Sequence, residues 1–282
     1  TPPGGWAFQY KNDYYPDVDD TAVVGMLLHR TNKVKYEQQI SLAASWIEGM
    51  QSRNGGWGSF DAENQRLYLN HIPFADHGAL LDPPTVDVTA RCLSFLTQIE
   101  YQDKHSVIKR AVEYLVNEQE KDGSWFGRWG TNYIYGTWSA LSALRSAGIE
   151  TNSPIVSRAV NWLESNQRSD GGWGETGDSY YPERSRASFT RISTPSQTAW
   201  ALLALMAAGE LDSDAVKRGI NFLLNVSREG PRWHEDEYTA VGFPRVFYLK
   251  YHGYSSYFPL WAISRYRFLQ DRNDSDNPVY GM

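Results

Sequence analysis

Three carboxylates, Asp17, Asp19 and Asp20, fall within four residues in the run Tyr14-Tyr15-Pro16-Asp17-Val18-Asp19-Asp20-Thr21-Ala22, where an apolar helical pattern (Val23, Val24, Met26, Leu27, Leu28) begins. Pro16 suits a helix's first turn, and Asp is favoured there by capping and by the positive end of the dipole. An acid-capped surface helix would need no more than this. Crowding points further, because like charges and desolvation both lift a carboxyl above its reference pKa of about 4, so one of the three is expected to stay protonated near neutral pH. The neighbours Trp6, Phe8, Tyr10, Tyr14 and Tyr15 suit a proton donor aimed at an apolar substrate better than a hydrated metal ion. Clustered carboxylates can also hold Mg2+. The chain has no second spaced acidic motif of the metal-diphosphate kind, so a metal ranks second.

The elements that must position these acids come from a chain of 282 residues, 41% hydrophobic, enough to bury a large core. A net charge of -6, a pI near 5.5 and the lack of a dense Lys/Arg run argue against a nucleic-acid binder and a polybasic membrane anchor. The single Cys92 excludes an intramolecular disulfide and reads as a small core residue in a reducing compartment. No apolar stretch reaches the eighteen or so residues of a transmembrane helix, and no signal peptide is visible. The chain opens on Thr1-Pro2-Pro3-Gly4-Gly5-Trp6, which suggests a fragment of a longer chain.

Internal repetition sets the architecture. Q-x3-G-x-W occurs three times, at Gln51/Gly55/Trp57, Gln119/Gly123/Trp125 and Gln167/Gly171/Trp173. Amphipathic outer helices are expected before each, over Glu37–Met50, Ser106–Glu118 and Pro154–Asn166, with a fourth over Asp212–Val226 before a degenerate copy in which Ser227 and Pro231 precede Trp233. More apolar inner helices are expected over Asp19–His29, Val86–Ile99, Tyr135–Ala147 and Pro195–Ala208, and a last helix over Phe258–Leu269. In the motif, Gln offers amide donors and acceptors, Gly permits a turn and Trp supplies a large face, so these residues staple neighbouring repeats. Gly4-Gly5-Trp6 looks like the tail of a further copy. The expectation is therefore an all-α single domain over 1–282, a ring of alternating inner and outer helices lacking its N-terminal members.

At this point the residues resemble the squalene-hopene cyclases, class II triterpene cyclases with QW repeats. The resemblance rests on Gly4-Gly5-Trp6-Ala7-Phe8-Gln9, the Tyr15 to Ala22 run, Ile72-Pro73-Phe74, Asp82-Pro83-Pro84 with Asp87-Val88-Thr89-Ala90, Gly123 to Asn132, Thr194 to Trp200 and Gly242-Phe243-Pro244. It implies a six-hairpin α/α barrel, the acid-bearing half of a two-barrel enzyme, cyclising squalene to hopene or hopanol with no metal and no organic cofactor. All three acids are present, whereas the related oxidosqualene cyclases reduce the motif. That difference points to an unactivated alkene as substrate.

By this resemblance Asp19 is the proton donor, with Asp17 and Asp20 orienting it and stabilising the first cation. Arg91, one helical turn after Asp87, is the positive partner that makes the resulting carboxylate tolerable. Several relatives carry His there. Arg is permanently charged, so reprotonation is expected to come from water. Phe8, Phe60, Trp129, Tyr135, Phe243, Phe247, Tyr251 and Tyr254 match the cavity wall, where aromatic faces stabilise carbocations by about 0.5 to 2 kcal/mol each without a basic lone pair. Tyr15 joins the expected substrate-binding set, and Phe74 matches a constriction on the substrate channel. His71 and His77 flank that loop without metal spacing.

The implied partners are squalene or a similar linear polyprenoid, the second barrel, and a membrane surface bound monotopically on the cytoplasmic side of a bacterium, with no nucleic acid; a homodimer stays open. Two alternatives also stand: a class II cyclase of another prenyl chain, and an incomplete barrel that binds hydrophobic ligands without turnover.

Overall fold

Helix starts in this chain are set by the side chains just before them. In the computed structural model, which describes residues 1–75, 77, 80–101, 105–181 and 192–271, Asp17 accepts a hydrogen bond from Asp20 N at 2.9 Å and caps α1 (Val18–Asn32). Thr194 does the same for α7 (Pro195–Ala207) and Ser213 for α8 (Asp214–Asn225). Pro154 and Pro195 occupy the first turns of α6 (Pro154–Ser165) and α7, where a missing N–H costs nothing. The other helices are α2 (Glu37–Gly49), α3 (Val86–Gln98), α4 (His105–Asn117), α5 (Tyr133–Ser146) and α9 (Tyr254–Asp271), making nine among the described residues. The sequence also reads as a long polar loop over Asp178–Arg191 and a polar tail over Asp271–Met282; of these, 182–191 and 272–282 lie outside the described residues.

The alternation expected from the repeats is present from α3 onward, whereas α1, expected as an inner helix, buries only Val18, Thr21, Ala22, Gly25 and Met26. Every residue of α7 and all of α5 up to Leu144 are buried, whereas α2, α6 and α8 bury one stripe each, such as Ala215, Val216, Gly219, Ile220 and Leu223 of α8. Several boundaries differ from the sequence reading: α1 runs on to Asn32 rather than ending at His29, α8 starts at Asp214 rather than Asp212, and two helices start early. α5 starts at Tyr133 rather than Tyr135, because a remote carboxylate caps it. α9 starts at Tyr254 rather than Phe258, so Pro259 lies inside the helix instead of opening it; Ser256 N and Tyr257 N both donate to Gly253 O and wind the turn ahead of the proline.

The described residues fall into two compact units, 1–118 with 146–148, and 119–145 with 149–271. In the first, α1 packs on α2 and α3, and α3 on α4; in the second, α7 packs on α6, α8 and α9. Among the described residues, strands are confined to two-stranded hairpins: β1 (Trp6–Ala7) with β2 (Pro16–Asp17), β3 (Arg228–Glu229) with β4 (Arg232–Trp233), and β5 (Ala240–Phe243) with β6 (Phe247–Leu249).

The motif works identically in its three copies. Gln51 Nε2 donates to Gly55 O in its own turn and to Val107 O in α4, both at 2.9 Å, while Arg110 donates to Gln51 Oε1. Gln119 repeats this with Gly123, Ile155 and Arg158, and Gln167 with Gly171, Ala215 and Arg218. Each motif glycine has φ near +90°, and a Cβ there would land on the carbonyl oxygen of Arg110, Arg158 or Arg218. Each motif tryptophan donates its backbone N–H to an inner-helix threonine, Thr89, Thr137 or Thr198, at 2.9 to 3.0 Å. The fourth copy has lost Gln and Gly but not its tryptophan bond: Trp233 Nε1 donates to Leu223 O at 2.7 Å, as Trp57 Nε1 does to Ile47 O and Trp173 Nε1 to Leu163 O.

Candidate active site

The acid motif is held from outside its own helix. Trp6 pairs with Asp17 across β1 and β2, Trp6 N donates to Thr21 Oγ1 at 2.8 Å, and that hydroxyl donates to Asp17 O at 2.6 Å. Val18 N, the first amide of α1, donates to Ser59 O at 2.8 Å. These ties press Asp17 inward until it is 6% exposed. Burial pushes its carboxyl up to about 7, the charges of Asp19 and Asp20 push the same way, and backbone N–H donors from Asp20 and Asp19 pull back. Asp20 is raised by burial and by Asp19, against the pull of Arg91.

Asp19 sits differently. Arg91 Nε donates to its Oδ1 at 2.9 Å, with side-chain exposures of 14% for the arginine and 33% for the aspartate. The partner expected on α3 is therefore in contact with the acid expected to work. Asp87, one turn earlier on α3, is buried and accepts from Val88 N at 3.2 Å. Arg91 is therefore placed to hold a negative charge on Asp19. Asp17 is the carboxyl that holds a proton near neutrality. Crowding alone did not identify it, because the largest cause is burial.

The expected aromatic surround is looser than the sequence suggests. Tyr10 and Tyr14 are fully exposed, Phe8 and Tyr15 mostly so, and Phe74 is 88% exposed, so within the first unit these rings do not enclose the acids. Tyr15 meets Phe60 at 5.7 Å between centroids, and Phe60 N donates to Asp82 Oδ2 at 2.6 Å.

Trp129, Tyr135, Phe243, Phe247, Tyr251 and Tyr254 belong to the second unit. There Tyr135 and Tyr254 join Trp138, Trp200, Phe258 and Trp261, none of which the sequence reading assigned to the wall. Tyr135 lies 4.9 Å from Trp200, Trp138 stacks on Trp200 with planes 2° apart, and Phe258 meets Trp138, Trp200 and Tyr254 edge-on at 5.0 to 5.5 Å. Trp138 lies three residues after Tyr135, and Phe258 and Trp261 lie four and seven after Tyr254, so helical spacing could have found them. Tyr251 reaches this cluster through Tyr254 at 5.0 Å. Arg128 lies 4.2 Å from the Trp129 ring and 5.8 Å from that of Phe243, and Phe247 packs on Phe243 at 5.4 Å. One face of Trp129 thus carries a guanidinium already.

Two buried carboxyls, Glu175 and Glu235, were not singled out by sequence. Both are raised mainly by burial, and each accepts hydrogen bonds at a helix head: Glu175 at α5, and Glu235 at α7 from Ser196 N and Oγ at 2.8 and 2.9 Å. Their shared signal is a position two residues after a motif tryptophan. Among the described residues no group of three His, Cys, Asp or Glu side chains is placed to hold a metal ion, and no helix is long and apolar enough to cross a membrane.

Comparison with known proteins places this geometry. The family model for the squalene-hopene cyclase C-terminal domain matches residues 1–268. The chain is 58% identical to squalene-hopene cyclase of Zymomonas mobilis over 99% of its length, 59% to that of Schizosaccharomyces japonicus over 95%, and 52% to that of Alicyclobacillus acidocaldarius over 94%. It spans 43%, 40% and 42% of those proteins. Among solved structures, type II terpene cyclase MstE from Scytonema aligns at a TM-score of 0.64 with 19% identity, covering 94% of this chain and 76% of that one. The ent-copalyl diphosphate synthase from Streptomyces platensis aligns at 0.55 with 20% identity, covering 89% and 40%. These neighbours share the α/α barrel fold of terpene cyclases, the fold class expected from the repeats. The carboxylates at the head of α1, the paired helices and the family match together show that the chain belongs to the squalene-hopene cyclase family, as its C-terminal domain.

Proposed function

We propose that the chain is the acid-bearing domain of a two-domain cyclase that protonates a terminal alkene of squalene and closes its rings to hopene or hopanol. The observation that carries the reading is the Arg91 to Asp19 contact at 2.9 Å beside two carboxyls raised by burial. Asp19 gives its proton to the terminal alkene carbon, leaving a carboxylate that Arg91 stabilises and a tertiary cation on the substrate. The cation moves through successive ring closures along the aromatic wall, and loss of a proton or addition of water ends the cascade. Asp17 and Asp20 orient Asp19, and water restores its proton. The names of the relatives support squalene as substrate, and a MstE variant was solved with geranylgeranyl dihydroxybenzoate, a linear polyprenyl chain. The rest of the polypeptide supplies the remaining wall, and the assembled enzyme works at the cytoplasmic membrane surface of a bacterium.

The test is gas chromatography of products after detergent-solubilised protein meets squalene, with the chain alone and with the preceding portion of the Zymomonas mobilis relative added. Polycyclic product is expected in the complemented sample and should fall at least about 100-fold in Asp19→Asn, the scale of a lost general acid. Equal product from Asp19→Asn would overturn the reading.

A further inference from the structure

The loop before α5 carries Trp129, and the first turn of α5 carries Tyr135. The loop's backbone is tied down from several sides. The single Tyr180 hydroxyl proton is shared between Gly127 O and Gly130 O, each 2.8 Å from Oη. Thr131 N donates to Thr239 O at 2.9 Å and Val241 N to Trp129 O at 3.1 Å, fastening the loop to β5, which ends at Phe243. Asn132 precedes α5 in the place of an N-cap, but its Oδ1 is taken by Gly127 N at 3.1 Å. The helix head must therefore be satisfied by something else.

That group is Glu175. Its carboxylate accepts from three successive amides, Asn132 N and Tyr133 N at 3.2 Å and Ile134 N at 3.0 Å, which are orphan donors of α5. The residue is 4% exposed, and its own backbone is fixed in turn: Glu175 N donates to Gln197 Oε1 at 2.9 Å, and Gln197 Nε2 donates to Glu175 O and Thr131 O at 3.0 Å. A buried carboxylate costs free energy that an apolar residue there would not. What this one secures is the attachment of one loop and one helix head to a single rigid point.

We propose that Glu175 is the positioning residue for the aromatic segment 129–135, holding the Trp129 loop and the Tyr135 turn of α5 in the register that ring closure requires. This rests on the cyclase reading above for its reaction, but not for its geometry. Glu175 touches no substrate atom; it acts through the backbone of residues 132–134. Glu235 holds the head of α7 in the same way, from the same position after its own tryptophan.

Glu175→Gln and Glu175→Asp test this in the complemented protein. Gln keeps one acceptor oxygen but turns an amide N–H toward the helix donors, whereas Asp keeps the charge and shortens the reach by one methylene. Amide hydrogen exchange at Asn132, Tyr133 and Ile134 should accelerate at least tenfold in Glu175→Gln. The ratio of incompletely to fully cyclised products from squalene should rise at least threefold, with smaller shifts in Glu175→Asp. An unchanged exchange rate overturns the proposal. So does total product falling with the ratio unmoved, since that is what loss of stability alone does. If the unsubstituted protein forms no cyclic product, the cyclase reading fails by itself. Positioning is then decided by exchange at 132–134 together with the near-ultraviolet circular dichroism of the tryptophans. Should Glu175→Gln not fold, Glu175→Asp is judged by the direction of the same readouts.

Discussion

Asp17 and Asp19 lie two residues apart and live in different electrostatic surroundings, one buried without a cation, the other bonded to Arg91. Asp17 is raised to about 7 in the folded chain, so folding takes up a proton that the unfolded chain releases near pH 4. Its contribution to stability is present in full below pH 4 and is lost as pH rises toward 7. Asp17→Asn keeps a good N-cap and removes that proton uptake, so its melting temperature should fall less than the parent's between pH 4 and pH 8; parallel curves would contradict the assignment. Arg91→Ala leaves an Asp19 anion without its cation. On the proposed function, turnover of squalene by the complemented protein should drop by about 10- to 100-fold, one to three kcal/mol of lost charge stabilisation, and Arg91→Lys should recover only part. The acids themselves were legible in sequence as a cluster at a helix mouth. Which of them is buried was not, because Trp6 and Ser59 decide it from outside the motif.

At the scale of elements, the staple is a three-part device whose parts fail differently. Ala at Gly55, Gly123 or Gly171 meets both a left-handed φ and a carbonyl oxygen, so each should cost roughly 2 to 4 kcal/mol. Gly148 has the same φ with nothing within 4 Å, and Ala there should cost only about 1 kcal/mol. Denaturant melts of the four variants measure the difference. The motif showed where the helices end, because Gln, Gly and Trp carry their chemistry at fixed spacing. It did not show the arginine and threonine partners, which recur at no fixed distance from the tryptophan: Trp57 finds Thr89 and Trp125 finds Thr137. The start of α5 was misread for a similar reason, since its cap arrives from Glu175, over forty residues later.

The chain buries Asp17, Glu175 and Glu235 and half-buries Asp20, and all four are raised by desolvation. Every one of these favours the folded state more at mildly acidic pH than at alkaline pH, so thermal stability should be higher near pH 5 than near pH 8, and a maximum at pH 8 would show that these groups are not desolvated in solution. Fold class and repeat order were readable because periodicity is a property of the chain itself. The aromatic surround was not, since exposure depends on neighbours that a motif does not name: Tyr14 and Phe74 look alike in sequence to rings that are buried.

The segment 58–84 leaves the helical scaffold at Trp57 and returns at Thr85, where Thr85 N donates to Trp57 O at 2.9 Å and closes its root. A segment pinned at both ends of its base behaves as an exchangeable cassette. Because the bond closes the base, a change of length in the interior need not pull apart Ser59, whose carbonyl holds the first amide of α1, and the head of α3.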